Sequence, residues 1–374
     1  MSRHPRLWLG ATLWLATLPA QANWAVNMSP GATEVSRSVF DLHMTIFWIC
    51  VVIGVVVFGA MFWSMLMHRR SQGQQPAQFH EHTWVEILWT IVPFVILVLM
   101  AVPATRTLID IYDNSESDLD IQITGYQWKW HYKYLGQDVE FFSNLATPRT
   151  QIDNQAPKDE HYLLEVDNPL VVPVGAKVRF LVTAADVIHS WWVPALAVKK
   201  DAIPGFVNEA WTRIEQPGIY RGQCTELCGK DHGFMPVVVE AKSAEDYAAW
   251  LAERKAVALA EKELTGKEWT FDELMARGEQ AYQTNCAACH QPTGEGMPPV
   301  FPALKGSAIA TGPKEGHLAI VLNGKPGTAM AAFGKQLSEV DLAAIITFER
   351  NAWGNKVGDL VTPQDIAAFK QAQE

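Results

Sequence analysis

The stretch GQCTELCGKDHGFMPVVVE, residues 222–240, decides how the chain is read. It sets Cys224, Cys228, His232 and Met235 on one short segment that runs straight into a β-branched, strand-like run. Two thiolates four residues apart can face one site only if the loop between them is tight, and Gly229 and Gly233 assist the turn. His189, at the end of an upstream strand-like run, can join them. Two thiolates, two imidazoles and a thioether are a soft donor set suited to copper or zinc, and the thioether favours copper. A four-ligand zinc site would not need Met235. A Cys224–Cys228 disulfide is the third reading.

Upstream, the texture is that of short strands. IQITGYQWKWHYKY (121–134) alternates large and polar residues, and HYLLEVDNPLVVPVGAKVRFLVTAADVIHSWWVP (161–194) offers two or three strands broken by Pro and Gly. A β-sandwich or barrel is expected over about 119–241. Residues 110–240 carry 11 Lys/Arg against 19 Asp/Glu, a balance that suits a basic partner or simply solubility. No nucleotide-binding glycine motif occurs, and no nucleic-acid partner is expected.

Downstream, residues 243–268 shift to Ala, Glu and Lys, which reads as a charged, largely exposed helical connector. The last unit, 269–374, holds Cys286-Ala-Ala-Cys289-His290. That is the spacing for covalent haem attachment, with Cys286 and Cys289 forming thioethers and His290 the proximal ligand. A thioredoxin-like use of the pair would need a βαβ setting that is missing here. A methionine on the far face would raise the haem potential. Met297 is only seven residues past His290, whereas Met330 is forty residues on and has room to wrap round. Gly278 and Tyr282, four apart, suit a helix packed closely on the last helix, which Ser338 and Asp341 would cap.

The N-terminal hundred residues are membrane-like. MSRHPRLWLGATLWLATLPAQA (1–22) has the layout of a signal peptide cut after Ala22, with an uncleaved anchor as the alternative. Thr45–Met67 is uncharged and about 35 Å long as a helix. Trp84–Pro103 is interrupted only by Glu86. His68-Arg69-Arg70 lies between them and acids lie outside, which puts the short loop in the cytoplasm and everything after about residue 106 outside it.

DVIHSWWVPALAVKKDAIPG (186–205) followed by GQCTELCGKDHGFMPVVVE resembles subunit II of cytochrome c oxidase across its binuclear copper (CuA) domain. The resemblance implies two copper ions bridged by Cys224 and Cys228. His189, His232, Met235 and the Glu226 carbonyl would complete the set, and the Glu226 side chain would hold a magnesium ion shared with subunit I. Thr225 stands where serine is usual, and it is not a ligand. GYQWKWHY (125–132) is similar to the family's aromatic segment, which makes Trp128 the entry point for electrons, although a packed strand residue is the plainer reading. VEILWTIVP (85–93) resembles the start of the second membrane helix. Glu86 would then lie near a proton path, with interfacial snorkelling as the plainer alternative.

The C-terminal unit is similar to class I cytochromes c, in which the distal methionine precedes the last helix, and this implies Met330. The expected architecture is therefore multi-domain. It comprises a two-helix transmembrane hairpin (23–106, helices about 43–67 and 84–105), a cupredoxin-like β-barrel (107–242), the connector (243–268) and an all-α cytochrome c domain (269–374). The implied role is the electron-input subunit of a haem-copper oxidase in a bacterial inner membrane, with copper and haem on the periplasmic side. Oxidase subunits I and III and a soluble cytochrome c are the implied partners. A nitrous oxide reductase-like protein lacks such a hairpin, and quinol oxidase subunits lack the copper ligands. A disulfide-stapled, membrane-anchored binding domain is the non-redox alternative.

Overall fold

The computed structural model describes residues 27–373, apart from 30, 74, 76, 77, 79 and 335. The expected signal peptide, 1–22, lies outside the described residues.

Two long helices open the structure, α1 (Glu34–Met67) and α2 (Thr83–Ile111). Both exceed the expected 43–67 and 84–105, because polar turns extend each apolar run toward the barrel. Thr33 caps α1, accepting from the Ser36 N–H while the Ser36 hydroxyl takes the Thr33 N–H. The apolar side chains of the helices point outward all round, among them Val55, Phe58, Trp63 and Leu97. Both helices are long and apolar enough to cross a membrane.

The helix ends are fastened to the next unit. The Ala32 N–H donates to the Ala195 carbonyl at 2.7 Å, and Arg37 pairs with Glu215 at 2.6 Å. From the other side, Trp211 Nε1 donates to the Asp110 carbonyl at the end of α2.

That unit is a cupredoxin-like sandwich of two five-stranded sheets. One sheet runs β3 (Val139–Ser143), β2 (Lys129–Tyr134), β1 (Leu119–Tyr126), β5 (Val178–Ala184) and β8 (Asn208–Thr212). The other runs β4 (Leu170–Pro173), β10 (Pro236–Lys242), β9 (Gly218–Cys224), β6 (His189–Val193) and β7 (Val198–Ala202). Every second residue of β5 is buried, which is the period-two pattern of a half-buried strand. The core between the sheets holds Ile121, Ile123, Trp130, Tyr132, Phe180 and Trp191, all fully buried.

The connector is a helix, α3 (Ala244–Gly266), and most of it is exposed, as expected, but one turn is seated on the barrel. Tyr247, Trp250 and Leu251 pack onto the barrel core, and the Trp250 ring lies 5.3 Å from that of Tyr134. Arg254 lies over the Phe141 ring at 4.8 Å. Composition hid this, because three apolar residues on one turn are enough to seat a helix whose remainder is charged.

The last unit is helical: α4 (Phe271–Asn285), α5 (Ala287–His290), α6 (Lys314–Asn323), α7 (Glu339–Asn351) and α8 (Pro363–Gln371). Ser338 caps α7 through the Asp341 N–H. Helices α4 and α7 cross at Gly278, where a Cβ would run into the Ala344 carbonyl and Phe348. One turn on, Tyr282 packs on Phe348 and Trp353, with ring centres 5.6 and 4.8 Å apart. Gly278→Ala should force the helices apart and cost about 1–3 kcal/mol. The check is a lower unfolding midpoint, read from the helical signal of the last unit.

Candidate metal centres

The copper-type site is built where β6 begins and β9 ends. Trp191 pairs with Cys224 across these strands, and the Thr225 N–H donates to the Ser190 carbonyl at 3.0 Å. His189 and Cys224 are thereby brought to one end of one sheet. The loop then closes on itself, with the Cys224 N–H donating to the Met235 carbonyl at 3.0 Å. Cys224, Cys228 and Met235 are buried, and His189 is fully so.

The ligating atoms of His189, Cys224 and Cys228 all lie within 4.8 Å of one another. The two sulfurs are 3.8 Å apart, far beyond the roughly 2.05 Å of a disulfide and close enough for both to reach the same ions. His232 Nδ1 is 3.5 Å from the Cys228 sulfur, and the Glu226 carbonyl is 3.4 Å from that of Cys224. The loop thus gathers the expected donors from His189, Cys224, Glu226, Cys228 and His232. Met235 is buried at the loop's end.

His189 is held from three sides. Asp186 bonds its Nε2 at 2.8 Å, Trp130 packs edge-on at 5.9 Å, and Gly125 leaves room for the ring. A Cβ at Gly125 would lie 2.8 Å from the imidazole. Its Nδ1 is buried without a hydrogen-bond partner. An orphaned imidazole nitrogen beside two thiols is what a metal site leaves when the donor set is complete, so the residues fit copper. Burial disfavours the imidazolium, yet Asp186 and the Cys224 thiol outweigh it and raise the His189 pKa. Burial also opposes the Cys224 thiolate, but His189 and nearby backbone groups pull that pKa down. Burial and the Cys224 charge push Cys228 up. Cys224 therefore ionises first.

Trp128 lies in the turn between β1 and β2, against the copper loop. Its Nε1 donates to the Cys228 carbonyl at 3.2 Å, and Gln127 donates to the same oxygen at 2.8 Å. Gly229, at φ +121°, permits this approach, since a Cβ there would lie 3.0 Å from the indole. Glu86 sits in the first turn of α2, its carboxylate accepting from the His82 N–H at 3.2 Å, far along the chain from the metal loop. The Glu226 side chain is exposed.

In the last unit, Cys286 and Cys289 carry free thiols at either end of one turn. His290 Nδ1 bonds the Pro302 carbonyl at 2.9 Å, which fixes the tautomer and leaves Nε2 for a metal. Two unpaired thiols and an oriented imidazole fit a covalently held haem. The Gly296 N–H donates to the His290 carbonyl at 2.9 Å, so the loop bearing Met297 folds back on the His290 side. Met330 lies on the separate loop between α6 and α7 and is partly buried.

These features define a membrane-anchored electron-transfer protein with a copper-binding barrel and a cytochrome-like unit. Family models match all three parts: the transmembrane domain of cytochrome c oxidase subunit II over residues 21–107, its periplasmic domain over 119–242, and subunit III of cbb3-type cytochrome c oxidase over 273–348. The Rickettsia bellii protein described as "Probable cytochrome c oxidase subunit 2" is 41% identical over 236 residues, 63% of this chain and 86% of its own length. Cytochrome c oxidase subunit 2 of Cereibacter sphaeroides is 37% identical over 242 residues, 61% of this chain and 80% of its own. The solved periplasmic domain of subunit II from Bradyrhizobium japonicum is 42% identical, covering 38% of this chain and 96% of that one at a TM-score of 0.34.

The chain belongs to the cytochrome c oxidase subunit 2 family. It is a membrane-bound subunit of an oxidoreductase, with a periplasmic copper domain and a fused cytochrome c domain. Sequence reasoning missed Asp186, Gly125 and Gln127, whose roles depend on the turn before β6 and on strand crossings. Asp186, three residues before His189, was the one readable signal among them. Asp186→Ala should lower copper affinity by about tenfold or more through loss of the ring's orienting partner, measured by competition with a chelator.

Proposed function

We propose that this chain is the electron-input subunit of a haem-copper oxidase. Electrons from a soluble cytochrome c enter at its own haem c and pass to the binuclear copper centre. They leave for haem a of subunit I, where oxygen is reduced to water with proton pumping. The observation that supports this reading is that the helical unit meets the barrel next to Trp128, where Lys129 lies 6.0 Å from the Phe333 ring. The copper-loop residues Lys230 and Asp231 lie within electrostatic reach of Cys289, and Lys129, next to Trp128, lies within reach of Cys286.

When bound, copper and haem supply the one-electron chemistry. The protein holds them. His189, Cys224, the Glu226 carbonyl, Cys228, His232 and Met235 are the copper ligands in this reading. Cys286 and Cys289 would hold the haem covalently, and His290 and Met330 would be its iron ligands. Met330 is favoured because Met297 belongs to a loop hydrogen-bonded to His290 itself. Trp128, bonded to the Cys228 carbonyl, is the entry residue for electrons.

The exposed Glu226 carboxylate would hold magnesium at the junction with subunit I, and Glu86 would stand at the mouth of a proton path. Subunit III completes the assembly, residues 1–22 are removed on export, and the membrane is the bacterial inner one. The domain limits are 23–106, 107–242, 243–268 and 269–374.

The test is a visible and near-infrared spectrum with metal analysis of the purified protein. Haem c bands, two coppers per chain and a broad near-infrared band are expected. A colourless, copper-free protein with both cysteine pairs oxidised would refute the reading. Met330→Ala should alter the reduced haem spectrum and lower its potential, while Met297→Ala should do neither. The reverse result would reassign the ligand.

A further inference from the structure

Lys129 opens β2, directly after Trp128, and belongs to the copper domain. Its ammonium lies 4.5 Å from the centre of the Phe142 ring on β3 and 6.0 Å from that of Phe333 in the cytochrome unit. Phe333 is carried on the Met330 loop, its N–H donating to the Val321 carbonyl at the end of α6. Cys286 and Asp167 are the charged or ionisable groups that act on Lys129 most. The cation is therefore boxed by one aromatic ring from each domain, within electrostatic reach of a cysteine of the Cys-x-x-Cys-His motif. Burial pushes Lys129 down to about 8, which still leaves it charged at neutral pH.

We propose that Lys129 is a tuning residue of the copper domain for the haem of the neighbouring unit: a fixed cation that biases that haem toward its reduced form. This rests on Cys286, Cys289 and His290 being the haem attachment site. When one electron arrives, the iron loses one positive charge, and no bond or proton need move. A cation held close by, in a place partly withdrawn from water, repels the oxidised form more than the reduced one, with less screening than at an open surface. The placement also explains why a lysine is kept between two phenylalanines, where each ring face offers its ammonium a partner in place of water. A copper-domain side chain thus acts on the haem only while the two domains are seated together.

The experiment is a redox titration of the full-length, haem-loaded protein, followed at the visible haem band, with the near-infrared copper band as control. Lys129→Met keeps the apolar stem and removes the charge, and Lys129→Gln serves if that variant does not fold. Either should shift the haem equilibrium toward the oxidised form by about tenfold, which is 59 mV for a one-electron couple. Lys129→Arg should stay within about twofold of the parent. A neutral variant that titrates within twofold of the parent would overturn the proposal. So would an arginine variant that shifts as far as the neutral ones, since packing and not charge would then be responsible. Wild-type protein without covalent haem would instead overturn the underlying haem assignment.

Discussion

The hydrogen bond from the Thr225 N–H to the Ser190 carbonyl, beside the pairing of Trp191 with Cys224, ties the copper loop to the strand that carries His189. Without it the histidine and the two cysteines belong to separate parts of a sandwich, 35 residues apart between His189 and Cys224. With it they meet at one sheet end, and the rest follows by packing. Gly222 lets β9 cross the Trp192 backbone, and Gly125 lets β1 pass over the imidazole. The aromatic core below keeps the strand ends still. A site built this way has little freedom to move when its charge changes, which is what fast electron transfer requires of a protein frame.

The same frame is mounted at both ends. Toward the membrane, the backbone bond from Ala32 to Ala195 and the bond from the Trp211 indole to the Asp110 carbonyl join barrel and helices. Toward the cytochrome unit, α3 acts as a bracket. Trp250 and Tyr247 seat its first half on the barrel, while Arg277 joins Glu261 near its end to Asp341 on α7. A flexible tether would raise only the local concentration of the electron donor. A seated helix fixes orientation as well, so less freedom is lost each time the domains engage.

Much of this was legible in the sequence because chemistry leaves short, dense marks. The Cys224–Met235 segment, the Cys286–His290 motif and the uncharged run from Thr45 to Met67 each state a requirement within a few residues. The Ser338–Asp341 cap and the Gly278–Tyr282 pair were equally readable, since a cap and a close helix crossing each demand a particular residue type. What escaped notice was long-range. Lys129 is an ordinary strand lysine until Phe333, some two hundred residues on, is brought against it. The α3 helix is mostly solvated, as its charged composition indicates, but composition cannot report which single turn carries the aromatics that seat it. The membrane helices ran longer than their apolar cores because caps and barrel contacts, not hydropathy, set where they end.

The two centres differ in how far the chain prepares them. At the copper loop, Cys224, Cys228, Met235 and His189 are buried, an imidazole nitrogen already lacks a partner, and a carboxylate already orients the ring. The protein bears that cost in the folded state, so binding metal relieves it and should stabilise the barrel. The proposed haem ligands instead sit on a four-residue helix and on an irregular loop before α7, with only His290 fixed by a backbone carbonyl. Such a site would gain its order largely from the group it receives, and covalent attachment would suit it, since thioether bonds would hold a cofactor on a short helix and a loop. The rigid, preformed centre lies on the barrel, and the centre to be completed by its cofactor lies on the bracketed helical unit. The electron flow proposed here, from the second to the first, would run from the part of the chain that can adapt to a donor toward the part that must hold still.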